Sequence, residues 1–204
     1  MEQENVSSIS SGIAWPLRFK ISGRKAGFLD PDDFIIEKIK DGDPRAFEIL
    51  VRRYEGFIYT LINGIVKSED TAKDVAQEVF LRVYKSIRQF ENRSNFKTWL
   101  YRVAYNTALA HLAREKRKEA RENSLEHNTV DYSYQRETVR FTLDKIIEML
   151  RPEYRAVIIL HYYEDLKYEE IADVLDCPVG TVKVRLHRAK YELKKLWSRY
   201  AVRL

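Results

Sequence analysis

Tyr168-Glu169-Glu170-Ile171-Ala172-Asp173-Val174-Leu175-Asp176-Cys177-Pro178-Val179-Gly180-Thr181-Val182-Lys183-Val184-Arg185-Leu186 is the stretch that decides the fold. Ile171, Ala172 and Leu175 recur at helical spacing, Asp176-Cys177-Pro178 interrupts the run, and Val182 and Leu186 resume it. That order suits two short helices meeting at a tight turn. Small Ala172 lets the second helix cross closely, and apolar Ile171, Leu175, Cys177 and Val182 fill the wedge between the two. Asp176 stands at the turn, where Gly is the easier choice but Asp tolerates the left-handed conformation better than most residues. An ordinary αα-hairpin satisfies the same spacing.

Charge separates the two readings. From Pro178 to Leu204 there are eight basic residues against the single acid Glu192, in a chain whose whole excess is +5. A solvated face usually mixes signs; a segment of one sign is an electrostatic footprint for nucleic acid. Val182, Leu186, Ala189, Leu193 and Leu196 meanwhile repeat at four and three residues and keep one stripe inward. The segment therefore reads as a helix-turn-helix whose second helix, opening at Val179, enters a major groove. Lys183, His187 and Arg188 are its candidate base readers, on one exposed edge, and Thr181 and Arg185 its candidate phosphate contacts.

Working outward, Val139 to Leu150 makes one helix, Arg151-Pro152 restarts the chain, and Glu153 to Tyr163 makes another, with Val157, Ile158 and His161 or Tyr162 on its inner side. Before them, 116–137 holds scarcely any aliphatic residue and reads as a linker. Upstream, Phe34, Ile35 and Ile39 suggest a short helix, and Asp43-Pro44 an N-cap with Pro in the first turn. Phe47, Leu50, Val51, Tyr54, Ile58, Leu61, Ile62 and Ile65 then mark an amphipathic helix of about six turns. Ser68 caps a third helix with Ala72, Val75, Ala76, Val79, Phe80 and Val83 inward; Ser94 caps a fourth with Phe96, Leu100, Val103, Thr107 and Leu112 inward. The expected architecture is all-α: a tail over 1–30, a helical domain over 31–115, the linker, and a second helical domain over 138–204.

Composition agrees. Among 204 residues, 45% hydrophobic and 33% charged, seven Gly and five Pro are too few for a turn-rich β fold, and the apolar content excludes wholesale disorder. One cysteine, Cys177, excludes an internal disulfide framework and a Cys-cluster zinc site, and suits a reducing compartment. No secretory signal is expected behind the acidic Met1-Glu2-Gln3-Glu4, and the longest weakly polar stretch, Phe57 to Val66, is far short of the ~20 residues of a membrane span. A cytoplasmic protein without membrane insertion is expected. His111, His127, His161 and His187 are scattered and no phosphate loop occurs, so no catalysis, metal or cofactor is expected.

A second constellation is Phe96-Lys97-Thr98-Trp99-Leu100-Tyr101-Arg102-Val103-Ala104-Tyr105-Asn106, behind a loop that opens at Phe90. Bases extruded from a duplex need flat partners and amides, and phosphates need cations. Phe96 and Leu100 suit a core; Trp99 and Asn106 are the better base-binding candidates, with Lys97 and Arg102 for the backbone.

Together with Asp74-Val75-Ala76-Gln77-Glu78-Val79-Phe80, these two constellations resemble bacterial RNA polymerase sigma factors of the extracytoplasmic-function group, from about Asp32 to Trp197. The resemblance implies a region-two domain and a region-four domain. It implies that Asp74, Gln77, Glu78 and Phe80 meet the β′ clamp coiled coil of core RNA polymerase, while 74, 77 and 78 share a side that Phe80 does not. It implies a minus-ten base pocket at Ser86, Phe90 and Asn106, minus-thirty-five recognition by the helix-turn-helix, contact with the β flap, and control by an anti-sigma factor. Members commonly carry small polar residues where Lys97 and Val184 stand, and often Ser where Lys167 stands; the lost hydroxyls bear on one DNA contact and one helix cap. The rival reading is a conventional helix-turn-helix regulator acting on duplex operators without polymerase, which leaves the Asp74 and Trp99 motifs without a role.

Overall fold

The computed structural model describes residues 31–91, 95–123 and 143–200. The expected tail, the Ser94 cap, the part of the expected linker from 124 on, the residues from 139 to 142 that were to open the next helix, and Arg203 lie outside the described residues. Eight α-helices and no strand occur among those described. They are α1 (Pro31–Lys40), α2 (Pro44–Val66), α3 (Glu69–Ser86), α4 (Phe96–Asn123), α5 (Leu143–Glu148), α6 (Pro152–Ile158), α7 (Tyr168–Leu175) and α8 (Val179–Tyr200).

The amino-terminal half packs α1 on α2, and α2, α3 and α4 on one another. Ile35, Ile36 and Ile39 bury one side of α1, whereas Phe34 turns outward under Lys38 Nζ, 5.7 Å from its ring centre. Asp32 fastens the start of α1 to α2 through Arg53 and the Tyr54 hydroxyl. Gly42, at φ +95°, makes the turn that other residues resist. Asp43 then accepts from the Arg45 N–H ahead of Pro44, as expected. Ser68 caps α3, accepting from the Thr71 N–H, and Ala72, Val75, Val79 and Val83 face inward. The cap of α4 is Asn95, whose side-chain oxygen accepts from the Lys97 N–H, because Asn95 and not Ser94 adjoins the first helical residue. α4 continues helically through 116–123, which the sequence reading gave to the linker.

In the carboxy-terminal half the expected continuous helix from Glu153 to Tyr163 is divided: α6 ends at Ile158 and Ile159–Tyr163 forms a π turn. The wider turn shifts the register, so Ile159 and Leu160 are buried while Tyr162 and Tyr163 face out. Asp176 closes α7 in the left-handed conformation, φ 49° and ψ 54°, as its position at the turn required. Lys167 cannot accept the bond that Ser would, but its N–H still donates to Glu170 Oε2 at 2.9 Å, so half of the cap survives.

The two halves share one apolar core, running from Ile35 to Ala189. α4 packs on α7, and α2 on α6 and the π turn. Arg155 crosses the seam: fully buried, it donates to the Ile65 carbonyl at 2.9 Å, placing a cation at the carboxy-terminal end of α2. Burial pulls its pKa down to about 10.

Candidate nucleic-acid interface

Three surfaces carry the predicted site residues. The first is α8. Val182, Leu186 and Ala189 seat it against α6 and α7, which turns Val184, His187 and Arg188 to the outside and leaves Val179, Thr181 and Arg185 half-buried. The single edge expected for Lys183, His187 and Arg188 is divided, because positions 183 and 188 lie more than a third of a turn apart on a helix. Lys183 Nζ lies 5.9 Å from the Tyr168 ring, and on the same flank Lys190 Nζ lies 5.3 Å from the Tyr162 ring. The Tyr162 hydroxyl raises the pKa of Lys190. Arg188 lies on the other flank, lining a cavity of about 430 Å³ with Arg151, Thr181 and Arg185. Cations therefore border α8 on both sides, and Arg151 and Tyr162, outside the helix-turn-helix itself, were not legible as part of this surface.

The second surface is the first half of α4. Phe90, Phe96 and Trp99 form a triangle with ring centres 5.1–5.6 Å apart, and Tyr54 extends it to α2. Phe90 is 6% exposed and Lys40 Nζ donates to its carbonyl at 2.7 Å, so its ring belongs to the core and offers no stacking face. Trp99 is half-buried beside it; Asn106 is exposed; the Ser86 hydroxyl donates to the Arg82 carbonyl. Lys97 and Arg102 are half-buried and held by the carboxy-terminal half: Lys97 Nζ donates to the Glu164 carbonyl, Arg102 Nε to the Asp173 carbonyl.

The third is a groove of about 730 Å³ between α2 and α3. Of the four residues expected to bind polymerase, Gln77 and Phe80 line it. Asp74 is exposed, and Glu78 turns toward Arg82 (2.5 Å) and Arg114 of α4 (3.7 Å). The hydrogen bond from Arg82 lowers the Glu78 pKa. Phe47, Tyr59, Leu81 and Tyr84 supply most of the remaining apolar wall, with Leu81 61% and Tyr84 55% exposed. Sequence reading missed them, although Val79-Phe80-Leu81 followed by Val83-Tyr84 holds more apolar residues than one inward stripe can bury.

Comparison with known proteins gives the family. Residues 50–118 match the family model for Sigma-70 region 2 and residues 140–193 that for Sigma-70, region 4. The RNA polymerase sigma-H factor of Pseudomonas aeruginosa is 34% identical over 180 residues, 81% of this chain and 93% of that protein. The chain belongs to the extracytoplasmic-function sigma factors. The ECF RNA polymerase sigma-E factor of Haemophilus influenzae is 35% identical over 173 residues, 78% of this chain and 91% of that protein. Among solved structures, CnrH in complex with the cytosolic domain of CnrY superposes with a TM-score of 0.61 at 26% identity, over 83% of this chain and 99% of that one. In this sigma factor the α2–α3 groove and the α4 face belong to region 2, and α8 to region 4. Among the described residues no group of three or more His, Cys, Asp or Glu is placed to hold a metal, and no helix is long and apolar enough to cross a membrane.

Proposed function

We propose that this sigma factor joins core RNA polymerase through the α2–α3 groove and delivers it to promoters, reading an upstream duplex element with α8 and opening a downstream element on α4. The observation that carries the reading is the groove: an exposed apolar surface bearing Leu81 and Tyr84, on a helix that a protein working alone has no reason to leave uncovered. Gln77 and Phe80 lie within it and Asp74 and Glu78 beside it, so the groove supplies an apolar centre and a polar margin, the usual anatomy of a protein interface. An anti-sigma factor competing for the same groove would silence the protein without touching its DNA-binding surfaces.

On DNA, the exposed Val184, His187 and Arg188 are the part of α8 turned toward base edges, while the Lys183–Lys190 flank and the Arg151–Thr181–Arg185 flank lie toward the phosphates on either side. In the downstream element, Trp99 and Asn106 offer a ring and an amide to an unpaired base, Ser86 a small wall, and Lys97 and Arg102 contacts to the strand. Phe90 holds Trp99 in place from behind. The protein works as an initiation factor, and the chemistry of RNA synthesis belongs to the polymerase it recruits.

The test is copurification of the full chain with core polymerase. Gln77→Lys with Leu81→Lys should abolish capture while circular dichroism and thermal stability stay unchanged; unimpaired capture refutes the groove as the contact.

A further inference from the structure

The π turn that follows α6 places a row of rings beside α8. It turns Tyr162 outward, 54% exposed, while Ile159 and Leu160 go in. π turns are rare and are frequent at functional sites. From Tyr162 the row runs inward: the His161 ring centre lies 4.8 Å from that of Tyr162 and 5.2 Å from that of Tyr168, the first residue of α7. His161 Nδ1 lies 3.2 Å from the Leu166 carbonyl, which can only accept, so this nitrogen carries the proton and the bond fixes the ring.

A lysine of α8 closes each end of the row. Lys190 Nζ stands 5.3 Å from the Tyr162 ring centre and Lys183 Nζ 5.9 Å from that of Tyr168. Seven residues separate the two lysines, which puts them within about 20° of one another around the helix and about 10 Å apart along it. They are therefore spaced along a strand and do not gather on one phosphate. Lys190 also donates to the Tyr162 hydroxyl oxygen, and this bond raises the lysine's pKa and keeps it charged. A hydroxyl that accepts through a lone pair keeps its own proton to give, and the ammonium keeps two further N–H groups. Tyr162 and Lys190, both exposed, thus hold two adjacent donors of the kind that a DNA phosphate takes.

We propose that Tyr162 is a DNA-backbone contact supplied from outside the helix-turn-helix: its hydroxyl and the Lys190 ammonium clamp one phosphate of the upstream duplex. His161 and Tyr168 are positioning residues, holding the Tyr162 ring from behind, and Tyr168 steers Lys183 toward a second phosphate farther along the strand. The proposal rests on the reading of α8 as the helix in the upstream major groove, and adds to it a residue and the reason for the π turn. A regular helix continued through 159–163 would turn Tyr162 to a different side, so the turn is what brings the hydroxyl to Lys190. A phosphate clamp carries no base information, so its loss weakens every upstream sequence alike.

The experiment measures binding of the full chain to a labelled mixed-sequence DNA duplex by anisotropy over a series of salt concentrations. Tyr162→Phe keeps the ring beside Lys190 and removes only the hydroxyl; Lys190→Ala removes the charge. Lys190→Ala should weaken binding and lessen the logarithmic salt slope by about one, as the loss of one phosphate contact does. Tyr162→Phe should weaken binding about tenfold, the scale of one hydrogen bond to a charged group, with the salt slope and thermal unfolding unchanged. In the Lys190→Ala background the same change should cost less than tenfold, because the two groups share one phosphate. Tyr162→Phe that binds as tightly as the parent, while Lys190→Ala weakens binding, overturns the clamp and leaves the reading of α8 standing. Equal losses from Tyr162→Phe in both backgrounds also overturn it. Lys190→Ala and Arg188→Ala that both bind as the parent does contradict the reading of α8 itself, and the clamp with it.

Discussion

Gly64→Ala tests the docking of the two halves with a single methyl group. Gly64 sits inside α2, where Ala is preferred by about 1 kcal/mol on helix propensity. A Cβ at that position overlaps Ile159 Cδ1 and comes within 3.6 Å of Ile159 Cγ1, and Ile159 is itself buried in the π turn. Inserting a methyl into a packed interior costs about 1–3 kcal/mol, so the full chain should lose up to about 2 kcal/mol in spite of the better helix former. Ile159→Val removes the overlapping methyl and by itself costs about 0.5–1.5 kcal/mol. In the double variant the Ala methyl takes the space that Cδ1 leaves, so stability should return to within about 0.5 kcal/mol of the parent. The assay is urea unfolding of all four proteins, read as a double-mutant cycle, with a favourable coupling of at least about 1 kcal/mol expected from residues in contact. Additive changes, or a Gly64→Ala variant more stable than the parent, would show that α2 and the π turn do not touch in solution.

Asp176→Gly should raise stability by about 0.5–1 kcal/mol in thermal unfolding, since the left-handed φ of 49° is strained for Asp and free for Gly. Tyr84→Ala should weaken binding to core polymerase by at least about 1 kcal/mol, as truncation of an aromatic interface anchor does, while moving stability by less than about 0.5 kcal/mol because the side chain is more than half exposed. The Glu78 carboxyl should titrate below the ordinary glutamate value in a carbon-detected NMR titration, the Arg82 hydrogen bond being the cause. With the folded pKa lowered, its small contribution is present above the ordinary glutamate pKa and is lost as pH falls through the folded value; it should also vanish in Glu78→Gln. Arg188→Ala should relax preference at one position of the upstream element, at a cost of about 1–3 kcal/mol, whereas Arg151→Ala should weaken all sites alike and lessen the salt dependence.

Helix order was legible because caps and stripes were local. Asp43 before Pro44, Ser68 before Glu69 and the inward positions of α3 and α8 each declared themselves within a few residues. Asp176 was legible for the same reason: a turn between two apolar stripes allows few conformations. What could not be read was relational. Phe34 and Ile36 are both apolar, and only the direction of α2 decides that the isoleucine goes in. Phe90 and Trp99 have similar chemistry, but Phe90 packs on Phe96 and is buried, whereas Trp99 is half-buried. A π turn inserts no residue type of its own, so the rotation that exposes Tyr162 leaves no trace in an apolar run from Ala156 to Leu160. The burial of Glu164 and Arg155 left no local signal, because the partners Tyr101 and Ile65 lie more than sixty residues away. The departure at Lys167 cost less than its lost hydroxyl suggested, since Glu170 keeps its half of the cap.

The most direct test of the central claim is transcription in vitro from a library of random promoters, using core RNA polymerase with and without the full chain. The sigma-factor account predicts transcripts that appear only when the protein is added and that start downstream of two shared elements, one altered in preference by Arg188→Ala and the other by Asn106→Ala. Binding of the protein to duplex DNA in the absence of polymerase, with no protein-dependent transcript from any library member, would contradict it.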